Sequence, residues 1–97
     1  MPAYVISDVR FLDHALIERY RPLAAASIEK YGGRYIVRGG TGECVEGARD
    51  PDRRLIIVEF PDMARAKEWY ASSEYAEALK VRNAGALERT LVFVEGV

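Results

Sequence analysis

The sequence predicts an α+β domain built in the order β-α-β-β-α-β. Three observations predict it. Four short stretches are rich in β-branched and aromatic residues whose side chains alternate between two faces. One long stretch, His14 to Lys30, spaces its apolar residues at helical intervals, and a shorter one follows the third strand. Glycine, proline and aspartate fall between these stretches, where turns and caps need them. Folded together, this order gives a ferredoxin-like βαββαβ sandwich, a four-stranded antiparallel sheet with both main helices on one side.

Each element has its own grounds. Ala3 to Val9 forms the first expected strand, through Tyr4, Val5, Ile6 and Val9. Asp13 is placed to cap the helix that follows. Within that helix Ile17, Tyr20, Leu23, Ala24 and Ile28 make one apolar stripe. Pro22 removes a backbone donor inside it, which predicts a kink or a weak first half. Gly32 and Gly33 end it. Arg34 to Arg38 alternates as the second strand. Gly39, Gly40 and Gly42 then interrupt pairing and predict a bulge or sharp bend, with Glu43 to Glu46 able to resume the strand. Asp50-Pro51-Asp52 is a turn signal, and Arg53 to Phe60 is the third strand. Asp62 is placed to cap a helix over Met63 to Ser72, and Ser73 a further helical stretch from Glu74 to about Asn83. Gly85 breaks it, and Thr90 to Glu95 is the fourth strand.

Composition narrows the function classes. The 97 residues make one domain, 1–97, with 49% hydrophobic and 30% charged residues. Fourteen basic and 15 acidic residues leave a net charge of −1. That gives no electrostatic case for a nucleic-acid backbone or an anionic membrane as partner. The third strand, RRLIIVEF, also lacks the aromatic pattern that an RNA-recognition sheet carries there. Cys44 is the one cysteine, so no intrachain disulfide is expected. With His14 it supplies two of the roughly four ligands a zinc site of that type needs; a carboxylate-bound metal stays open but has no supporting motif, and no cofactor is expected. The N-terminus lacks a basic stretch followed by an apolar one, and apolar runs such as Leu55 to Val58 fall far short of a membrane span. The expectation is a cytoplasmic protein.

Strand parity predicts a partner. Leu55 and Ile57 point one way, and Ile56, Val58 and Phe60 the other. Leu91 and Phe93 oppose Val92 and Val94, and Val5 and Val9 oppose Tyr4 and Ile6. Both faces of the sheet are therefore apolar, and the helices cover one. A second copy, packed sheet to sheet as a homodimer, is the simplest cover for the other.

Several runs carry a resemblance. Tyr31-Gly32-Gly33-Arg34-Tyr35-Ile36-Val37-Arg38-Gly39-Gly40 is the first. Val58-Glu59-Phe60-Pro61, Trp69-Tyr70-Ala71-Ser72-Ser73-Glu74-Tyr75 and Val92-Phe93-Val94-Glu95-Gly96 follow in order. Together they resemble the bacterial family called domain of unknown function 1330, over essentially the whole chain. The resemblance implies membership of the dimeric α/β-barrel superfamily and a sheet-to-sheet dimer. It implies no activity, because the family has none assigned to it, and the superfamily's range of monooxygenases, isomerases, lyase-like enzymes and ligand-binding regulators means that the fold does not settle function.

Candidate site residues fall into three groups. Asp8 and Glu59 lie near strand ends, where a raised carboxyl pKa would suit proton transfer, and Arg38 at another strand end would anchor an anion. Their plainer reading is an ion pair or simple exposure at an edge. Trp69, Tyr70, Tyr75 and Arg82 form an aromatic and basic group, with Tyr75 and Arg82 seven residues apart on one helical face; Tyr20 adds a phenol. Their plainer reading is core packing and a solvated arginine. The third group is Gly39-Gly40-Thr41-Gly42, which reads as a bulge rather than a phosphate cradle, because no helix follows it. His14 reads as an exposed residue at a helix start, and Cys44 as an inert thiol without a neighbouring base. The functional expectation is a small organic molecule bound between sheet and helices, in a pocket open to its transformation without metal. Candidate catalytic groups are Glu59 and Asp8; binding groups are Tyr20, Arg38, Trp69, Tyr75 and Arg82. The alternative is a non-catalytic ligand-binding or dimerisation module.

Overall fold

Alternation carries the first strand two residues further than expected, so that β1 spans Ala3–Phe11. The computed structural model describes residues 1–97. After β1 come α1 (His14–Lys30), β2 (Arg34–Gly40), β3 (Arg54–Phe60), α2 (Met63–Tyr70), α3 (Ser73–Val81), a π-helical turn over Arg82–Ala86, and β4 (Leu87–Glu95). The sheet order is β2-β3-β1-β4, and each neighbouring pair is antiparallel. This is the expected ferredoxin-like α+β architecture.

Local chemistry explains most boundaries. Asp13 caps α1 by accepting the Leu16 N–H at 3.0 Å. The weak first half expected before Pro22 is absent: α1 is helical from His14 through Pro22, which lies on the exposed side. The loss is confined to one backbone hydrogen bond. Asp62 caps α2 through the Arg65 N–H at 2.8 Å. That helix stops at Tyr70, two residues early, because Ser72 rather than Ser73 caps α3. The Ser72 hydroxyl accepts the Tyr75 N–H and donates to the Trp69 carbonyl. The loop after β2 does not return to strand at Glu43 to Glu46. β4 starts three residues earlier than expected, since Arg10 and Phe11 at the end of the lengthened β1 pair with Glu88 and Leu87.

The bulge expected at the glycines is present. Gly39 has φ of 80°, and the β2–β3 register slips between Arg38 and Gly40. A second slip, between Tyr35 and Val37, was not signalled by any glycine.

The core lies between the helices and one face of the sheet. Val5, Val9, Val58 and Phe60 point into it with Ile17, Ile28, Trp69 and Tyr75. Trp69 stacks between Phe60 and Tyr75, with ring centroids 5.3 and 4.2 Å away. Gly33 passes close against this core: a β-carbon there would lie 2.7 Å from Phe60 and 2.8 Å from Ile28. Gly33→Ala is expected to cost about 1–3 kcal/mol through overpacking, read as a lower midpoint in urea with an unchanged slope.

Outside the core, Glu74 ties α3 to the end of α1. It accepts from Lys30 Nζ at 2.6 Å and from the Tyr31 hydroxyl at 2.8 Å. Lys30 first, then Tyr31, hold its carboxyl down at about 2, against 4.5 for a free glutamate. A depressed acid stabilises the fold fully above its unfolded value and loses that contribution as pH falls through its folded value. Thermal unfolding of the parent is therefore expected to gain an acid-side slope between pH 4.5 and about 2 that Glu74→Gln reduces. Parallel parent and variant curves over that range would show the tie to be idle.

The other face of the sheet presents Tyr4, Ile6, Leu55, Ile57, Val92 and Val94, with Val92 and Val94 48% and 42% exposed. One end of it is occupied by the loop over residues 41–53. Asp8 pairs with Arg49 at 3.2 Å and Arg53 at 3.3 Å, Arg53 also with Glu88 at 3.1 Å, and Arg10 with Asp50. No helix is long and apolar enough to cross a membrane.

Candidate functional site

Between α1 and the sheet lies a cavity of about 630 Å³. That is within the range of pockets that hold small organic ligands. Val5, Val9, Ile56, Val58 and Leu91 make its floor; Ile17, Ala24 and Ile28 its roof. Trp69 and Tyr75 also line it. Four arginines line it as well (Arg21, Arg38, Arg54 and Arg89), and no acidic residue does.

Register decides where these charges stand. Val9 on β1 faces Arg54 on β3 and Arg89 on β4, so those three form one row across the floor. The next row is Leu91, Ser7, Ile56 and Arg38. All these side chains share the helix-facing side.

Arg89 reaches between the helices. One guanidinium nitrogen donates to the Tyr20 hydroxyl at 3.0 Å and the other to the Tyr75 hydroxyl. The two hydroxyls are themselves 2.7 Å apart. Burial disfavours the charge on Arg89, but the two phenol oxygens outweigh it and its pKa is raised. The side chain is a permanent cation with only neutral partners. Burial, chiefly, also raises the Tyr20 pKa, so Tyr20 stays a phenol.

Proton counting shows what the cluster offers. Arg89 already donates to both hydroxyl oxygens. One hydroxyl proton is used between the tyrosines, and the other is left over. The buried Nε of Arg89 and the buried Oγ of Ser7 make no hydrogen bond within the chain. A fixed positive charge at the cavity wall, with these donors buried beside it, suits an anionic oxygen.

Four of the residues expected at the site line the cavity: Tyr20, Arg38, Trp69 and Tyr75. Trp69 is held there by its indole N–H, which donates to Ser27 Oγ at 3.0 Å. Arg82 does not line it. The helical backbone carries through Arg82, whose N–H bonds the Ala78 carbonyl, but Tyr75 turns into the core while the Arg82 guanidinium folds onto Asn83 Oδ1. Glu59 and Asp8 do not line it either, a correction that parity explains. They share the outer face with Ile57 and Tyr4, where Glu59 accepts from Arg34 at 3.0 Å and Asp8 holds the 41–53 loop. His14 is exposed beside Glu18, and Cys44 is exposed in the loop, where its Sγ donates to the Glu46 carbonyl. Of the glycine-rich turn only Gly39 reaches the cavity. No three His, Cys, Asp or Glu side chains come together as a metal site would require.

Sequence reasoning missed Arg89, Ser7 and Arg54. A fourth strand begun at Thr90 left Arg89 in a loop. Begun at Leu87, the same parity rule aligns Arg89 with Leu91 and Phe93. Ser7 carried a signal, as the one polar residue between Val5 and Val9 on the core-facing side.

The sequence profile of a family described as domain of unknown function, DUF1330, matches residues 2–97. The chain belongs to the DUF1330 family. No curated protein matches it. Among solved structures, this DUF1330 chain is similar to a protein of unknown function from Rhodopseudomonas palustris. The TM-score is 0.77 at 20% identity, over 99% of this chain and 82% of that one. It is also similar to SnoaB, a cofactor-independent oxygenase from Streptomyces nogalater, with TM-score 0.69 and 11% identity over 99% and 93%. A third likeness is to a dimeric ferredoxin-like protein of unknown function from Jannaschia sp. CCS1, with TM-score 0.63 and 13% identity over 99% and 100%. At these identities the DUF1330 chain shares a fold with them, and its chemistry is argued from its own residues.

Proposed function

We propose that this chain binds a small, partly apolar organic molecule through an anionic oxygen, seated against Arg89, Tyr20 and Tyr75 in the cavity. The single observation that carries the reading is Arg89, a cation set among neutral partners with its Nε unpartnered. A charge so placed is costly unless something negative joins it. Trp69, Tyr35 and the aliphatic floor would hold the apolar body of the ligand. The same donors would stabilise an oxyanion formed in a reaction, which leaves room for transformation without a metal. One observation favours binding without turnover. The lining contains no carboxylate, histidine or cysteine to take a proton.

Calorimetric titration with benzoate and with the neutral isostere benzamide tests the reading. Benzoate is expected to bind about tenfold more tightly or better, one per chain. Equal affinities, or none, would overturn it.

The outer face supports a second part of the proposal, that two copies pack sheet to sheet. Its apolar row of Ile57, Ile6 and Val92 has no cover within the chain, and the similar Jannaschia protein is dimeric.

A further inference from the structure

We infer that the ligand carries a second anionic group, received by Arg38 and Arg54 at the β2–β3 side of the cavity. This rests on the cavity reading above and extends it to the ligand's class, an organic dianion with a planar apolar middle.

The chain has 11 arginines. Six hold a carboxylate: Arg10, Arg21, Arg34, Arg49, Arg53 and Arg65. Of the five that do not, three line this one cavity: Arg38, Arg54 and Arg89. A chain with 15 acidic residues has kept every one of them out of this lining. Like charges gathered without counter-charge are unfavourable, and a ligand of opposite sign relieves them.

In a regular strand, residues 35 and 38 point to opposite faces. The slip between Tyr35 and Val37 inserts one extra residue and reverses the parity, so both reach the cavity. Arg38 then stacks its guanidinium over the Tyr35 ring, 4.2 Å from its centroid. Stacking holds the group in place while leaving its N–H fork free. Bulges beside binding sites commonly re-aim one side chain in this way. Arg54 is fixed by a single bond from its Nη1 to the Gly39 carbonyl at 3.2 Å, which leaves its other donors free.

Arg54 and Arg89 flank Val9, so their Cα atoms stand two strand spacings apart, about 10 Å. Between the two poles the floor is Val9, Ser7 and Ile56, apolar except for the unpartnered Ser7 hydroxyl. A flat body with an anionic group at each side fits that order of charge, grease and charge.

The test titrates benzoate, isophthalate and terephthalate into the parent, the Arg38→Gln/Arg54→Gln double variant and Arg89→Met. Both substituted positions of the double variant are exposed, and circular dichroism checks its fold. In the parent, at least one dicarboxylate is expected to bind about tenfold tighter than benzoate. In the double variant the ratio of dicarboxylate to benzoate affinity is expected to fall to about one. In Arg89→Met all three are expected to weaken. A parent that binds benzoate and dicarboxylates equally overturns the second anion site and leaves the cavity reading standing. A dicarboxylate advantage that survives in the double variant overturns the assignment to Arg38 and Arg54. Binding of none of the three overturns the cavity reading, and this inference with it.

Discussion

Arg89→Met is expected to weaken an aryl carboxylate about a hundredfold while leaving the empty protein as stable as its parent, or more so. The first half follows from the donors lost. Hydrogen bonds to a charged group contribute about 1.5–3 kcal/mol, and 2.8 kcal/mol is a hundredfold in affinity. The second half follows from burial. The guanidinium sits among two phenols and apolar side chains, with no carboxylate to offset its desolvation. Methionine fills similar space without that cost. The tyrosines it leaves behind still bond one another at 2.7 Å. Arg89→Lys separates charge from geometry. An ammonium keeps the charge but cannot span both phenol oxygens and present a third donor in one plane, so affinity is expected to fall part of the way. Calorimetry and urea unfolding read the two halves. A variant that binds as well as the parent removes Arg89 from the site. A variant that loses several kcal/mol of stability makes Arg89 a structural strut, since sites built for binding are where stability is commonly given up.

How far the sequence could have led to Arg89 is a matter of one boundary. The β-forming run from Thr90 is dense enough to stand alone, and Glu88 and Arg89 have no propensity for a strand. They are extended because β1 runs on to Phe11 and offers them partners, which is a tertiary cause and invisible in a local window. The same kind of cause hid the slip at Ile36, where no glycine marks the bulge. Pro22 erred in the other direction: the local rule is sound, but a helix packed over a sheet tolerates one missing bond on its wet side. The parities of β1 and β3 were legible, because alternation there is strict and register fixes each face. Those parities already placed Asp8 and Glu59 opposite Val5 and Val9. Grouping them with the cavity overlooked that the two faces of one strand do not meet. Tyr20, Trp69 and Tyr75 were legible because large aromatics at helical spacing must enter the core, and the cavity is the unfilled part of that core.

Ile6→Glu is expected to turn a dimer into a monomer. Ile6 is the centre of the outer face: it pairs with Ile57 on one side and Val92 on the other, on the central strand β1. Four strands about 4.8 Å apart and seven residues at about 3.4 Å make a face of about 19 by 24 Å, or about 900 Å² over both partners before its relief is counted, at the small end of specific interfaces. Charges occupy the end near Asp8, Arg10 and Glu88, where the 41–53 loop already lies, and the Arg34–Glu59 pair takes part of the row of Tyr4, so the apolar contact centres on the row of Ile6. In a two-fold pairing the substituted residue meets its own surroundings twice, and two carboxylates would enter an apolar layer with no partner. The monomer suffers little, because Ile6 is only part-buried there. Val45→Glu, on an 83% exposed residue of the loop, serves as the control and is expected to stay dimeric. Light scattering on a sizing column at micromolar concentration reads both, and a parent that elutes as a monomer removes the pairing altogether. The cavity lies across the sheet from this face. A monomeric Ile6→Glu that still binds benzoate with parental affinity would show that each chain carries a whole site, whereas lost binding would mean that pairing holds β1 and β4, and with them Ser7 and Arg89, in register.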